Sequence, residues 1–116
     1  METKSKDSIG EILAEKYLNK LGYKLLVRNF STKVGEIDLI YKDKDTIVFV
    51  EVKARLNDRF GMPREAINYK KQQKIRRTAE FYLISNNLND KNCRFDCVEI
   101  VGNREDFTVE HFKNAF

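Results

Sequence analysis

The sequence predicts an α/β fold, a mixed β-sheet with helices packed on it. Three observations carry that prediction. Apolar residues recur at helical spacing in two stretches and at strand spacing between and after them, in the order α-β-β-β-α-β(-β). The run Ile47-Val48-Phe49-Val50 is apolar at every position, the pattern of a central strand buried on both faces. A length of 116 residues suits one domain with a real core.

The elements follow in order. Residues 1–6 are polar and expected to fray. From Ser8 to Leu21, Ile9, Ile12, Leu13, Tyr17 and Leu21 keep helical spacing, and Gly22 is a plausible stop. Tyr23–Phe30 reads as a strand and Ser31–Gly35 as a turn. GEIDLIY and TIVFVEVKA, separated by KDKD, read as a hairpin. Asn57–Gly61 is a loop, with turn chemistry at Gly61, and Arg55–Met62 is a candidate flank of a cleft. Pro63 suits the first turn of a helix running to Asn87, with a break near Asn68 and an apolar stripe of Ile75, Ala79, Tyr82 and Leu83. Arg94–Val101 is a late strand, and Phe107–Val109 a candidate for another.

Composition narrows the function classes. Hydrophobic residues make up 41% and charged residues 34%, as in a well-solvated globular domain. The 22 Lys and Arg exceed the 18 Asp and Glu, giving a net charge of +4, which allows a polyanionic partner. No apolar run approaches the roughly 20 residues of a membrane span, and no apolar export segment opens the chain, so a cytoplasmic location is expected. Cys93 and Cys97 are expected to be thiols, one at the surface and one on a strand. Four residues along a strand cover about 13 Å. With His111 as the only histidine, that spacing leaves no credible zinc site, and histidine-based nuclease chemistry is disfavoured.

The chemistry-bearing residues lie in the hairpin. Side chains alternate along a strand, so Glu51 and Lys53 share a face, and Asp38 and Ile40 are set apart from Ile37, Leu39 and Tyr41. A two-residue turn at Lys44-Asp45 pairs Asp43 with Thr46 and, carried along the strands, sets Asp38 opposite Glu51. Directly opposed Cβ atoms are about 4.5–5.5 Å apart. Two carboxylates that close repel unless a cation or a proton intervenes. Hard oxygen donors with open positions suit Mg²⁺ or Mn²⁺, which keep several waters and take further ligands from phosphate. A lysine two residues on can orient an attacking water, and together these groups would stabilise a phosphoryl transition state. The chemistry implied is phosphodiester hydrolysis. The competing reading makes Asp38, Glu51 and Lys53 strand-end ion pairs, which contribute little. The position of the charges inside the most hydrophobic strand weighs against it.

These residues carry a resemblance. Gly35-Glu36-Ile37-Asp38 followed by Phe49-Val50-Glu51-Val52-Lys53 resembles the motif of the PD-(D/E)XK nuclease superfamily. With GEILAEKYLNKLGYKLLVRNF, FGMPREAINYKKQQKI and the terminal HFKNAF, nearly the whole chain resembles the YraN-like family of uncharacterised bacterial proteins. That family is similar in fold to restriction endonucleases and archaeal Holliday-junction resolvases. The resemblance implies a restriction-endonuclease-like mixed sheet flanked by helices in a single domain spanning 1–116. It also implies metal ligation by Asp38 and Glu51, with Lys53 as the motif lysine. Glu11, in the G-E-x-x-A pattern of the first helix, matches the glutamate that completes the metal site in resolvase-like enzymes. Lys71 and Gln72 match an accessory pair near the site. One departure is Ile37, which stands where the motif name has proline. By the same resemblance the substrate would be structured or branched DNA, met by a homodimer.

Supporting residues have alternatives. Ser8-x-x-Glu11 is also a capping box, which would make Glu11 a helix cap instead of a ligand. Arg55 continues the Glu51–Lys53 parity and is a phosphate contact or a strand-end charge. Lys70, Lys71, Lys74, Arg76 and Arg77 put five positive charges in eight residues. Part of that run is a solvated helix face, yet Lys70 and Lys74, and separately Gln73 and Arg77, stack in rows that suit a phosphate backbone. Glu36 is expected to face away from Asp38, solvated or paired with a basic residue. A nucleic-acid-binding module without catalysis, or a partner-dependent adaptor of the same fold, is the alternative function.

Overall fold

A computed structural model describes residues 6–56, 67–103 and 105–116. Most of the segment expected to fray, the Asn57–Gly61 loop and Pro63 lie outside the described residues. The element order is α1 (Lys6–Lys20), β1 (Lys24–Ser31), β2 (Glu36–Asp43), β3 (Thr46–Leu56), α2 (Tyr69–Ser85), β4 (Cys93–Gly102) and β5 (Phe107–Phe112). The strands form one mixed sheet in chain order, antiparallel except for the parallel β3–β4 pair, which α2 connects. This is the α/β architecture expected, with β5 present and longer than Phe107–Val109.

Each helix covers one face. α1 places Ala14 and Leu18 on Leu39, Tyr41, Val48, Val50, Val98 and Ile100. α2 places Ile75, Ala79 and Tyr82 on Ile40, Ile47, Phe49 and Phe95. The unbroken apolar run of β3 follows directly, since its alternate side chains feed both cores. No helix among the described residues is long and apolar enough to cross a membrane.

Local chemistry sets the boundaries. α1 ends in a Schellman arrangement. The Tyr23 amide donates to the Leu18 carbonyl and the Gly22 amide to Asn19, with Gly22 at φ +90° where a side chain would be strained. The break expected near Asn68 is the N-cap of α2, whose side chain accepts from the Lys71 amide at 2.8 Å. Among the described residues α1 runs from Lys6, so the Ser8 backbone lies within the helix and not at the N-cap position of the capping-box alternative.

The hairpin has the expected register, running from Asp43–Thr46 to Leu39–Val50. There the paired ladder stops. One alternation departs from expectation at the same place: Ile37 joins Ile40 in the α2-side core, while Leu39 and Tyr41 face α1. Beyond Leu39, β2 has no paired residue on β3 but stays paired with β1 as far as Glu36.

Candidate functional site

The parting of β2 from β3 creates the site. Val52 has lost its ladder partner, and its amide donates instead to Asp38 Oδ2 at 2.8 Å. The Asp38 carboxyl also hydrogen-bonds Glu51, which is 5% exposed on β3. Burial, then the contact with Glu51, pushes Asp38 up to about 9, against the opposing Val52 amide. Glu11 adds to that rise, which places the α1 glutamate within electrostatic reach of the pair.

α1 brings Glu11 there by close approach. A Cβ on Gly10 would stand 2.5 Å from Ala54 Cβ, so only glycine lets α1 lie this near β3. The G-E-x-x-A pattern thus has a packing meaning: Gly10 and Ala14 are buried on the sheet, and Glu11 stands half-buried beside them.

The opposite wall is the start of α2. Lys71 Nζ forms a salt bridge with Glu51 Oε2. Burial works against the Lys71 charge, but the hydrogen bond and attraction of Glu51, with Asp38 behind it, outweigh burial and raise its pKa. Lys70, Lys71 and Lys74 line a groove of about 410 Å³ with Gly35, Glu36, Asp38, Glu51, Asn68 and Ile75. Gly35 packs closely there, since a Cβ would stand 3.1 Å from Thr78 Oγ1. Glu36 is a correction to expectation. It lines the same groove as Asp38, as residues two apart on a strand should, and accepts from Ser31 Oγ at 2.8 Å.

The other expected residues lie around this centre. Lys53 and Arg55 follow Glu51 on β3, both half-buried. Gln72 turns its amide to the Ile67 carbonyl at 2.8 Å. Arg77 is exposed further along α2, outside the groove lining. Arg76 stacks over Phe95 with its guanidinium 4.8 Å from the ring centre. Cys93 is exposed and Cys97 buried on β4.

Two features escaped the sequence reading. Glu99, 5% exposed, is the β4 residue in register with Lys53, so a further carboxylate borders the motif lysine. Its sequence signal, a lone acid in VEIV, shows burial but not the neighbour. On the other sheet face Asp96 is fully buried, accepting from His111 Nε2 at 2.8 Å, Arg94 Nε at 3.1 Å and the Asn114 amide at 3.1 Å. Arg94 also donates to Asp43 at 3.0 Å and to the Tyr23 hydroxyl at 2.8 Å. His111 belongs to this structural cluster.

The donor set fits a hard divalent ion. Two adjoining carboxylates open onto a groove, and Mg²⁺ needs few protein ligands because it retains waters. Among the described residues no three His, Cys, Asp or Glu side chains form a ready cage. Here the Lys71 ammonium lies against Glu51 and offsets part of the negative charge of the pair.

Comparisons with known proteins give the family. Residues 10–100 match the model of "Uncharacterised protein family UPF0102". A UPF0102 protein of Caldanaerobacter subterraneus is 48% identical over 97% of this chain and 95% of its own. One from Clostridium acetobutylicum is 48% identical over 92% and 89%. Another from Clostridioides difficile is 44% identical over the whole of both chains. The matched span reaches from Gly10 through Asp38, Glu51 and Lys71 to Ile100, and with it the chain belongs to the UPF0102 family.

Proposed function

We propose that this protein is a metal-dependent nuclease of the PD-(D/E)XK type, acting on structured or branched DNA. The observation that supports it best is the meeting of Asp38 and Glu51 where β2 and β3 part, under a lysine-lined groove. Asp38 and Glu51 would hold Mg²⁺ or Mn²⁺, with Glu11 as the third carboxylate. The ion, when bound, supplies positive charge and Lewis acidity to a phosphate oxygen. Lys53 orients the attacking water and offsets charge as the phosphodiester breaks. Lys70, Lys74 and Arg55 hold the flanking phosphates, so affinity falls steeply with salt and depends little on base sequence. A two-fold dimer would let two such sites cut paired strands symmetrically.

The test is cleavage of labelled single strand, duplex, flap and four-way junction with Mn²⁺ or Mg²⁺. Glu51→Gln and Lys53→Ala are each expected to lower the rate at least about 100-fold while DNA binding persists. Cleavage unchanged in Glu51→Gln would refute the assignment.

The second reading is a nucleic-acid-binding module or partner-dependent adaptor without catalysis. The observation favouring it is that the Lys71 ammonium already holds Glu51. It predicts salt-sensitive DNA binding by wild type with no cleavage in any metal.

A further inference from the structure

We propose that Lys71 is the resident cation of the acidic pair: its ammonium holds Glu51 in the free protein, gives way to an entering divalent ion, and turns to the nucleic-acid phosphate. The inference deepens the metal-dependent reading above and rests on it.

The geometry supports each part. Glu51 is buried in the sheet at 5% exposure, and its Oε2 is in direct contact with Lys71 Nζ. A compact ammonium and a divalent ion compete for the same carboxylate lone pairs, so both cannot occupy them fully. The Lys71 backbone is fixed, because its amide donates to the Asn68 cap at 2.8 Å. Its side chain is 52% exposed on a flexible four-carbon stem, against 6% for its partner Glu51. The ammonium can therefore leave Glu51 without any movement of α2. What receives it is the groove shared with Lys70 and Lys74. Three ammonium groups there repel one another until an anion arrives. Metal entry and phosphate entry thus favour each other: the ion frees Lys71, and the phosphate gives it a new partner.

The experiment is a titration with Mn²⁺ alone, followed by water-proton relaxation, on wild type, Lys71→Met, Lys71→Arg, Glu51→Gln and the Glu51→Gln/Lys71→Met double variant. Lys71→Met removes the competing charge and is expected to bind Mn²⁺ about tenfold more tightly, the order expected when a like charge leaves a partly buried ion site. Lys71→Arg keeps the charge and should stay within about threefold of wild type. Added to Glu51→Gln, the Met change should alter Mn²⁺ affinity little, because the competition runs through that carboxylate. Thermal unfolding provides the second readout. Lys71→Met leaves Glu51 buried without its counter-charge, so it should melt below wild type in EDTA and recover with Mn²⁺. Equal or weaker Mn²⁺ binding by Lys71→Met, with wild-type binding intact, overturns the role of Lys71 and leaves the metal site standing. No Mn²⁺ binding by any of the five proteins overturns both.

Discussion

At Asp38 a backbone amide asks for a charged carboxylate, while burial and a second carboxyl ask for a neutral one. The second pair wins, and the group is pushed up to about 9. Its unfolded value is about 4, so the native state keeps a proton that the unfolded chain releases. That contribution to stability is complete below about pH 4 and is lost as pH rises through about 9. Asp38→Asn keeps the shape and an acceptor for the Val52 amide but removes the repulsion. In EDTA, its stability relative to wild type should therefore rise between about pH 5 and about pH 9, by about 1–3 kcal/mol. Urea midpoints across that range measure it, and a gap that stays flat with pH would mean that the two carboxyls share no proton. The pairing of Asp38 with Glu51 was legible in the sequence because two neighbouring strands with a two-residue turn leave one sensible register. The contact between Lys71 and Glu51 was foreshadowed only by family pattern, since nothing local ties a helix residue to a strand residue twenty positions before it.

Elements bring these residues together through close packing as much as through hydrogen bonds. The approach of α1 to β3 depends on the space above Ala54. Gly10→Ala gains helix propensity but drives a Cβ to 2.5 Å from the rigid Ala54 Cβ. The clash should win, with a net loss of about 1–3 kcal/mol in chemical denaturation. Ala54→Gly on top of it restores the space and should recover much of the loss, and failure of that rescue would place the strain elsewhere. The two helices and the hairpin were readable from periodicity, but the sequence showed only a break near Asn68, and the structure makes that residue the N-cap that starts α2. The neighbour of Lys53 was not readable. Glu99 reaches it through a parallel pairing made after a helical crossover, and no short-range pattern specifies that register. Ile37 and Glu36 also departed from simple expectation, the first because strand alternation fails where β2 leaves the ladder.

For the whole molecule, the centre that ties its parts is Asp96 and not the groove. This one carboxylate joins β4 to β5 through His111 and to the chain near Asn114, while Arg94 carries the link to the hairpin at Asp43 and to Tyr23. Burial opposes its charge, but His111, Arg94 and the Asn114 amide outweigh burial and hold its pKa below the usual carboxylate value. The sign is opposite to that of Asp38: its stabilisation is present above about pH 4 and is lost as the solution is acidified through the lower native value. Asp96→Ala removes the fully buried acceptor shared by His111, Arg94 and the Asn114 amide and should cost about 3–5 kcal/mol. A fall of the urea midpoint by that equivalent, with the charge-paired Arg94 site disrupted, is the expected result; a change under about 0.5 kcal/mol would assign the cluster no structural role.

The same cluster bears on how the chain is made. β1, β2 and β3 meet through local hairpins, but the shell around the buried charge of β4 is completed by His111 and Asn114, further along the chain. During synthesis from the N-terminus, a ribosome that has released β4 while still holding Asn114 in its exit tunnel presents a strand that cannot yet be buried at low cost. The first half can therefore assemble vectorially, whereas closure of the sheet waits until His111 and Asn114 have emerged.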